Sequence, residues 1–337
     1  MIHSFRNLLR MLQVHRFHHH KFRWQNLSLV IVGPQRKASM DQPLEILPGK
    51  LLRTIRQVSK SLGGLIERKI FLTAIEFFLV DTCNLRCVNC VTNSPFMSDA
   101  NLPSLESFVR SLSLLSRVVR CNELRFVGGE PLLNKEICQF MRAARKSKIF
   151  RDIRVITNGV LLHKMSEDFW RLADIVRISI YPATSDIFTE AKLASLKAIA
   201  YKHHTKLEII RDTHFMKATS DRRIEDVNIV QRTFSTCGEA HGWSCHLLYR
   251  NCLYRCSRVH TLDRHLSQIG ADHDNFTDMD GIVINDRKTL FADLMRYFKS
   301  SEPLKACSFC FGTSGPLTTH RQLSIQQVRS KCHGGGS

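Results

Sequence analysis

From Ala74 onward the chain alternates short apolar runs with amphipathic stretches, and the two periods predict repeated strand–helix units. Ala74–Val80 is a β-rich apolar run, and Ser104–Val119 follows at helical spacing with Ser104 placed as N-cap. Further strands are predicted at Glu123–Val127, Ile153–Thr157, Ile175–Ile180 and Lys206–Arg211. Helices are predicted at Lys135–Lys148, Ser166–Leu172 and Phe188–Ala200, and Val227–Phe234 reads as a sixth strand. Such alternation favours a parallel sheet joined by right-handed crossovers. The expected fold class is α/β, a partial (β/α)6 TIM-like barrel with its functional loops at the strand C-termini.

A length of 337 residues allows one large α/β domain and a smaller appendage. No run approaches the roughly eighteen apolar residues of a membrane helix, so no membrane span is expected. The net charge of +19 is partly local, because residues 1–39 carry Arg6, Arg10, Arg16, Lys21, Arg23, Arg36 and Lys37 and no acid. With His18-His19-His20, this stretch reads as a basic, poorly ordered extension, with Met40 as an alternative start. A targeting peptide, a nucleic-acid arm and a metal-binding tract are its other readings. The basic balance of the remainder suits either an anionic substrate or a solvated face. Composition changes near residue 235, after which seven of the twelve cysteines fall. The organisation expected is therefore a basic extension at 1–70, a barrel core at 71–235, a cysteine-rich domain at 236–333 and a linker remnant at 334–337. The grouping of the cysteines reads as metal ligands in a reducing compartment, the cytoplasm, rather than as a disulfide framework.

Cys83, Cys87 and Cys90 form a C-x3-C-x2-C triplet in the loop after the first predicted strand. Three thiolates hold three irons of a cubane and leave the fourth open, whereas electron-transfer clusters take four cysteines at other spacings. An open metal position is where a substrate or cofactor binds. The triplet is followed in order by Phe126-Val127-Gly128-Gly129-Glu130-Pro131, Val155-Ile156-Thr157-Asn158-Gly159 and Arg177-Ile178-Ser179-Ile180-Tyr181, each at a strand end.

With these motifs in this order, the chain resembles the radical S-adenosylmethionine enzymes. The resemblance implies that Cys83, Cys87 and Cys90 ligate a catalytic [4Fe-4S] cluster whose open iron is chelated by S-adenosylmethionine. It implies that Gly128, Gly129 and Glu130 contact the methionine end of that cofactor. Asn158, Ser179 and Arg211, at strand ends, are candidates for its ribose and carboxylate, with an ordinary structural role as the alternative for each.

Cys245, Cys256, Cys307 and Cys310 supply four more thiolates. His246–Arg255 between them reads as a hairpin turning at Arg250-Asn251, and Phe291–Phe298 as a helix before the last pair. The arrangement resembles the shortened auxiliary-cluster extension, twitch or SPASM-like, of the same superfamily, which implies a second [4Fe-4S] cluster. A zinc site and buried thiols without metal are the alternatives, and Cys237 is an alternative ligand to Cys245. Cys252 and Cys332 are left over, as candidate hydrogen-atom donors or as buried thiols. Cys121 and Cys138 are expected in the core, and His241 and His246 at turn or solvent positions. Asp272–Asp274 and Asp278–Asp280 read as an acidic loop without the EF-hand pattern.

The resemblance implies an enzyme served by an external one-electron reductant such as flavodoxin or ferredoxin. The expected reaction is hydrogen abstraction from a substrate carbon, ending in epimerisation or dehydrogenation of a small natural product or sugar-like molecule. A peptide-modifying maturase is the rival within the superfamily. A non-enzymatic iron–sulfur or zinc protein that binds nucleic acid is the rival of another class. No aromatic-interleaved basic module or helix-turn-helix is visible, so no nucleic-acid partner is expected.

Overall fold

The computed structural model describes residues 31–32, 69–97, 103–243 and 245–333. Nearly all of the basic extension, with its histidine tract and Met40, lies outside the described residues, as does the 334–337 tail. Strand β1 (Ile31–Val32) runs parallel beside Phe71 and Leu72.

The sheet grows from β2 (Ile70–Val80), which begins at Ile70 rather than Ala74 because Ile70 and Leu72 are also buried. Strands β3 (Val119–Gly128), β4 (Phe150–Thr157), β5 (Ile175–Ile180) and β6 (Lys206–Arg211) follow it in parallel. Between them run α1 (Leu105–Leu115), α2 (Ile137–Ser147), α3 (Glu167–Leu172) and α4 (Glu190–Lys202). The hydroxyls of Ser104, Ser166 and Thr189 cap α1, α3 and α4, accepting from the N–H groups of Ser107, Phe169 and Lys192. Helices α1 and α2 cover one face of the sheet, where Phe77 packs on Phe108 and Phe140 at ring-centroid distances of 4.3 and 5.6 Å. The strand alternation turns Glu76 and Phe78 to the opposite, concave face.

Val227–Phe234 is not the sixth strand. It is helix α5 (Val227–Ser235), capped by Asp226, whose carboxylate accepts from the N–H groups of Asn228 and Ile229. Its buried residues, Val230 and Phe234, stand one helical turn apart on a single face. The sixth parallel strand is β8 (His246–Tyr249), which joins the far edge by pairing Ile75 with His246 and Glu76 with Leu247. β9 (Cys252–Tyr254) and β10 (Gly281–Val283) extend it antiparallel, giving the order β10-β9-β8-β2-β3-β4-β5-β6. Six parallel strands with helices outside them make a partial TIM-like barrel. The β8–β9 hairpin turns at Arg250 and Asn251, with φ of 44° and 60° as a type I′ turn requires.

Helix α6 (Arg258–Gln268) lies on the concave side, in a second core with Phe78, Leu247, Tyr254, Leu262 and Phe309. A separate ribbon pairs β7 (His214–Met216) with β11 (Leu317–Thr319). Helices α7 (Phe276–Met279), α8 (Leu290–Lys299) and α9 (Ile325–His333) complete the described chain. Helix α8 takes the place predicted for Phe291–Phe298. Among the described residues no helix is long and apolar enough to cross a membrane.

Candidate functional site

The loop leaving β2 carries the first three cysteines at the C-terminal end of the central strand. Burial, with the neighbouring Cys90 adding to it, pushes the Cys83 and Cys87 thiols up to about 12. The Cys83 sulfur accepts from the Leu85 N–H at 3.4 Å, and Cys90 lies 3.2 Å from the Thr92 hydroxyl. The Cys87 sulfur accepts from Gln322 Nε2 and faces His320 Nε2, each at 3.2 Å. Three soft sulfur donors on one short loop are a ligand set suited to an iron–sulfur cluster. Among the described residues no three His, Cys, Asp or Glu side chains close on a single metal ion.

The end of β3 is stitched to the root of this loop. The Gly129 N–H donates to the Val80 carbonyl at 2.9 Å and the Glu130 N–H to the Thr82 carbonyl at 3.0 Å. A Cβ on Gly128 would stand 2.1 Å from the Val80 oxygen, and one on Gly129 would stand 2.0 Å from the Thr82 oxygen. Backbone contact with the loop root therefore requires both glycines. Glu130 is buried and turned inward, accepting from Thr157 Oγ1 at 2.6 Å and from the Asn158 and Leu132 N–H groups at 2.8 and 3.1 Å. Burial raises its pKa, and these three donors oppose the rise.

Asn158, at the end of β4, donates from Nδ2 to Asn84 Oδ1 at 2.7 Å, with the Cys83 sulfur 3.7 Å away. Ser179 is buried on β5, close to the Tyr181 side chain. Arg211 is exposed at the end of β6. Tyr181 lies in the electrostatic field of Cys87 and Cys90 and stacks on His320 at 5.0 Å and 13°. The loop therefore gathers residues from the ends of β3, β4 and β5. A cavity of about 140 Å³ beside Cys90, lined in part by Lys217, Thr219, His265 and Lys331, is smaller than the several hundred Å³ of a drug-sized ligand site.

Sequence reasoning missed the C-terminal segment after β11, which crosses the cluster loop and brings His320 and Gln322 to Cys87. No local signal marks this contact, because the partners lie at opposite ends of the described chain.

The second group of thiols surrounds Arg258. Its guanidinium is buried and donates to the Cys310 sulfur at 3.5 Å, the Gly312 carbonyl at 2.7 Å and Glu239 Oε1 at 2.9 Å. Burial raises the Cys256 thiol well above its usual range; Arg258 opposes this, while Glu239, Cys237 and Cys310 add to it. Cys307 lies in the field of Cys310 and Cys237, and Cys237 in that of Cys310. Cys245 lies beside Glu76, Arg125 and Glu239, the last also a neighbour of Cys256, with Arg125 Nη1 at 3.9 Å from its sulfur. Cys237, Cys256, Cys307 and Cys310 thus lie within one another's electrostatic reach.

Other placements also differ from expectation. His246 occupies neither a turn nor solvent: it is fully buried in β8, and burial drives its pKa down to about 4. The acidic loop is only partly open, because the buried Asp280 carboxylate accepts from the Lys305 and Ala306 N–H groups at 2.7 and 2.9 Å. Cys252 is half-buried in the second core, Cys121 is buried on β3 and Cys138 is partly buried on α2. Cys332 falls in the last turn of α9, and its side chain lies outside the described set.

A ladder of charges lines the concave face. Arg154 donates to both Glu123 oxygens at 2.9 and 3.1 Å and to Glu208 at 2.5 Å, while Arg125 reaches Glu123 at 3.0 Å and Glu76 at 3.8 Å. Arg177 stands one row nearer the strand ends, between Ile156 and Glu208. Its Nε is buried without a hydrogen-bond partner among the described residues.

Residues 78–211, from the middle of β2 to the end of β6, match the Radical SAM superfamily. Over that stretch the chain carries a Radical SAM domain, and proteins of that superfamily use a [4Fe-4S] cluster and S-adenosylmethionine. The chain is also similar to particular relatives. A GTP 3',8-cyclase of Clostridium acetobutylicum is 34% identical over 117 residues, covering 34% of this chain and 37% of its own length. Molybdenum cofactor biosynthesis protein 1 of Dictyostelium discoideum is 31% identical over 119 residues, covering 35% of this chain and 19% of its own. The chain thus spans between a fifth and little more than a third of these curated relatives. Among solved structures, BtrN in complex with AdoMet and 2-DOIA is similar at a TM-score of 0.40 and 17% identity, over 74% of this chain and 96% of that one.

Proposed function

We propose that this enzyme abstracts a hydrogen atom from a carbon of a small, anionic, sugar-like substrate, leading to epimerisation or dehydrogenation. Cys83, Cys87 and Cys90 would hold the catalytic cluster, which with an external one-electron reductant supplies reductive cleavage of S-adenosylmethionine to a 5′-deoxyadenosyl radical. The observation that carries this reading is the convergence of three thiols with the ends of β3, β4 and β5, tied by Glu130 and Asn158. Gly128 and Gly129 hold the β3 turn against the loop root, and the carboxylate of Glu130 locks the start of the β4 turn. Asn158, Ser179 and Arg211 stay the candidates for the ribose and carboxylate of the cofactor, and Tyr181, beside Ser179, joins them.

Cys237, Cys256, Cys307 and Cys310 are the ligand set we assign to the auxiliary cluster, with Cys237 in the place first given to Cys245. The buried Arg258 cation among them favours thiolates over thiols and so favours ligation. The substrate class rests on Arg177, a concave-face cation that forms no ion pair among the described residues, which suits a carboxylate or phosphate. The matched cyclases are named for GTP, a sugar-bearing anion, so GTP heads the list of substrates to test. The experiment is anaerobic turnover with S-adenosylmethionine and a panel of deuterated nucleotides, sugar phosphates and sugars. Deuterium is expected in the 5′-deoxyadenosine only with an anionic member, and Arg177→Gln should raise the KM for that member while leaving cleavage without substrate unchanged. Transfer from neutral sugars alone, or from a peptide, would overturn the substrate assignment.

A further inference from the structure

After β11 the chain does not leave the molecule. It crosses the cluster loop as a short antiparallel bridge, pairing Gln322 with Cys87. The Val88 N–H donates to the Arg321 carbonyl at 2.9 Å and the Leu323 N–H to the Arg86 carbonyl at 2.7 Å. Asn89 Nδ2 reaches Thr318 Oγ1 at 2.8 Å, and Arg86 Nε reaches the Leu323 carbonyl at 3.2 Å.

Two side chains of this segment point at one sulfur. The Gln322 amide is held at both ends, with Oε1 accepting from the Arg86 N–H at 2.5 Å and Nε2 lying 3.2 Å from Cys87 Sγ. The His320 ring is buried, stacked on Tyr181 and set edge-on to Phe215 at 4.9 Å, which leaves its Nε2 3.2 Å from the same sulfur. Among the described residues, the hydrogen bonds of Cys83 and Cys90 come from elsewhere than this segment.

We infer that residues 318–323 form a clamp on the catalytic cluster loop, in which Gln322 and His320 are positioning residues that set the cluster's reduction potential through the Cys87 sulfur. The inference rests on Cys87 being a cluster ligand, as proposed above. Hydrogen bonds to a ligating sulfur are among the levers that set the potential of such clusters. Reduction places negative charge on the sulfurs, so an N–H directed at one of them stabilises the reduced state and raises the potential. An external donor then meets a cluster that is easier to reduce.

Gln322→Glu tests this with little change of shape, because the remaining carboxyl oxygen still accepts from the Arg86 N–H while the donor facing the sulfur is lost. His320→Phe keeps a ring on Tyr181 and removes both nitrogens. The full chain would be reconstituted anaerobically with iron and sulfide, and the cluster signal perturbed by S-adenosylmethionine followed by EPR during a redox titration. Both variants should keep the wild-type iron content and the perturbed signal, and should titrate at a more negative midpoint, with Gln322→Glu shifted further. If Gln322→Glu fails to bind iron, His320→Phe carries the same test alone. An unchanged midpoint in iron-replete His320→Phe and Gln322→Glu would reduce the clamp to a purely structural contact. A perturbed signal that survives Cys87→Ala would instead sink the ligand assignment on which the inference stands.

Discussion

Cys237 and Cys245 show what spacing in a sequence does and does not convey. Both precede a hairpin of the right length, and both are buried. Only the folded chain shows that Cys237 shares the surroundings of Cys310, Cys256 and Arg258, whereas Cys245 faces Glu76. Cys237→Ala is therefore expected to lower iron by about one cluster's content, while Cys245→Ala keeps it, with iron per chain as the readout. Glu76 gives a pH prediction at the same place. Burial holds its proton until about pH 7, against 4.5 when exposed, so the folded state binds more protons than the unfolded state between those values. Its contribution is complete below 4.5 and is lost as pH rises through 7, a fall of roughly 3 kcal/mol for an isolated group. Glu76→Gln should flatten the decline in thermal midpoint between pH 5 and 8, and an unchanged slope would remove Glu76 as its source. The triplet cysteines and the glycine pair were legible because their spacing is local. The burial of His246 and the reach of Gln322 were not, since both depend on partners distant in sequence.

At the scale of elements, β5 and β6 fell where apolar runs placed them, and the cap at Ser104 announced α1. The hairpin turn at Arg250-Asn251 was also readable, from Asn251, a residue that tolerates positive φ. Val227–Phe234 misled because apolar β-branched residues suggested a strand, although Asp226 and the one-turn spacing of Val230 and Phe234 already marked a capped helix. Helix α6 carries a role that no pattern in its sequence displays. Its first residue, Arg258, holds the second thiol group, and His260 and Arg264 grip Asp81 at the root of the first cluster loop, at 3.1 and 2.8 Å. His260→Ala removes one partner from a buried carboxylate and should cost about 1–3 kcal/mol. It should also loosen the first loop before the second site. Iron lost equally from both sites on mild chelation would contradict that order.

Across the molecule, one sheet serves both thiol groups. The strand that begins the cysteine-rich region, β8, pairs directly with β2, from which the first cluster loop departs. The change of composition near residue 235 therefore marks a change of chemistry along a continuous sheet, with α6 and the C-terminal clamp tying the later segment back onto the earlier one. The barrel class was legible from alternation alone. The entry of its sixth strand at the opposite edge was not, because sheet order is set by long-range pairing. The central claim is that a single chain holds two cubane clusters and cleaves S-adenosylmethionine. The most direct test is anaerobic reconstitution of the full chain with iron and sulfide, followed by dithionite and S-adenosylmethionine, with iron and 5′-deoxyadenosine measured together. The account predicts about eight irons per chain and nucleoside formation, four irons for each four-iron cluster. Stable zinc in place of iron, with no 5′-deoxyadenosine, would contradict it.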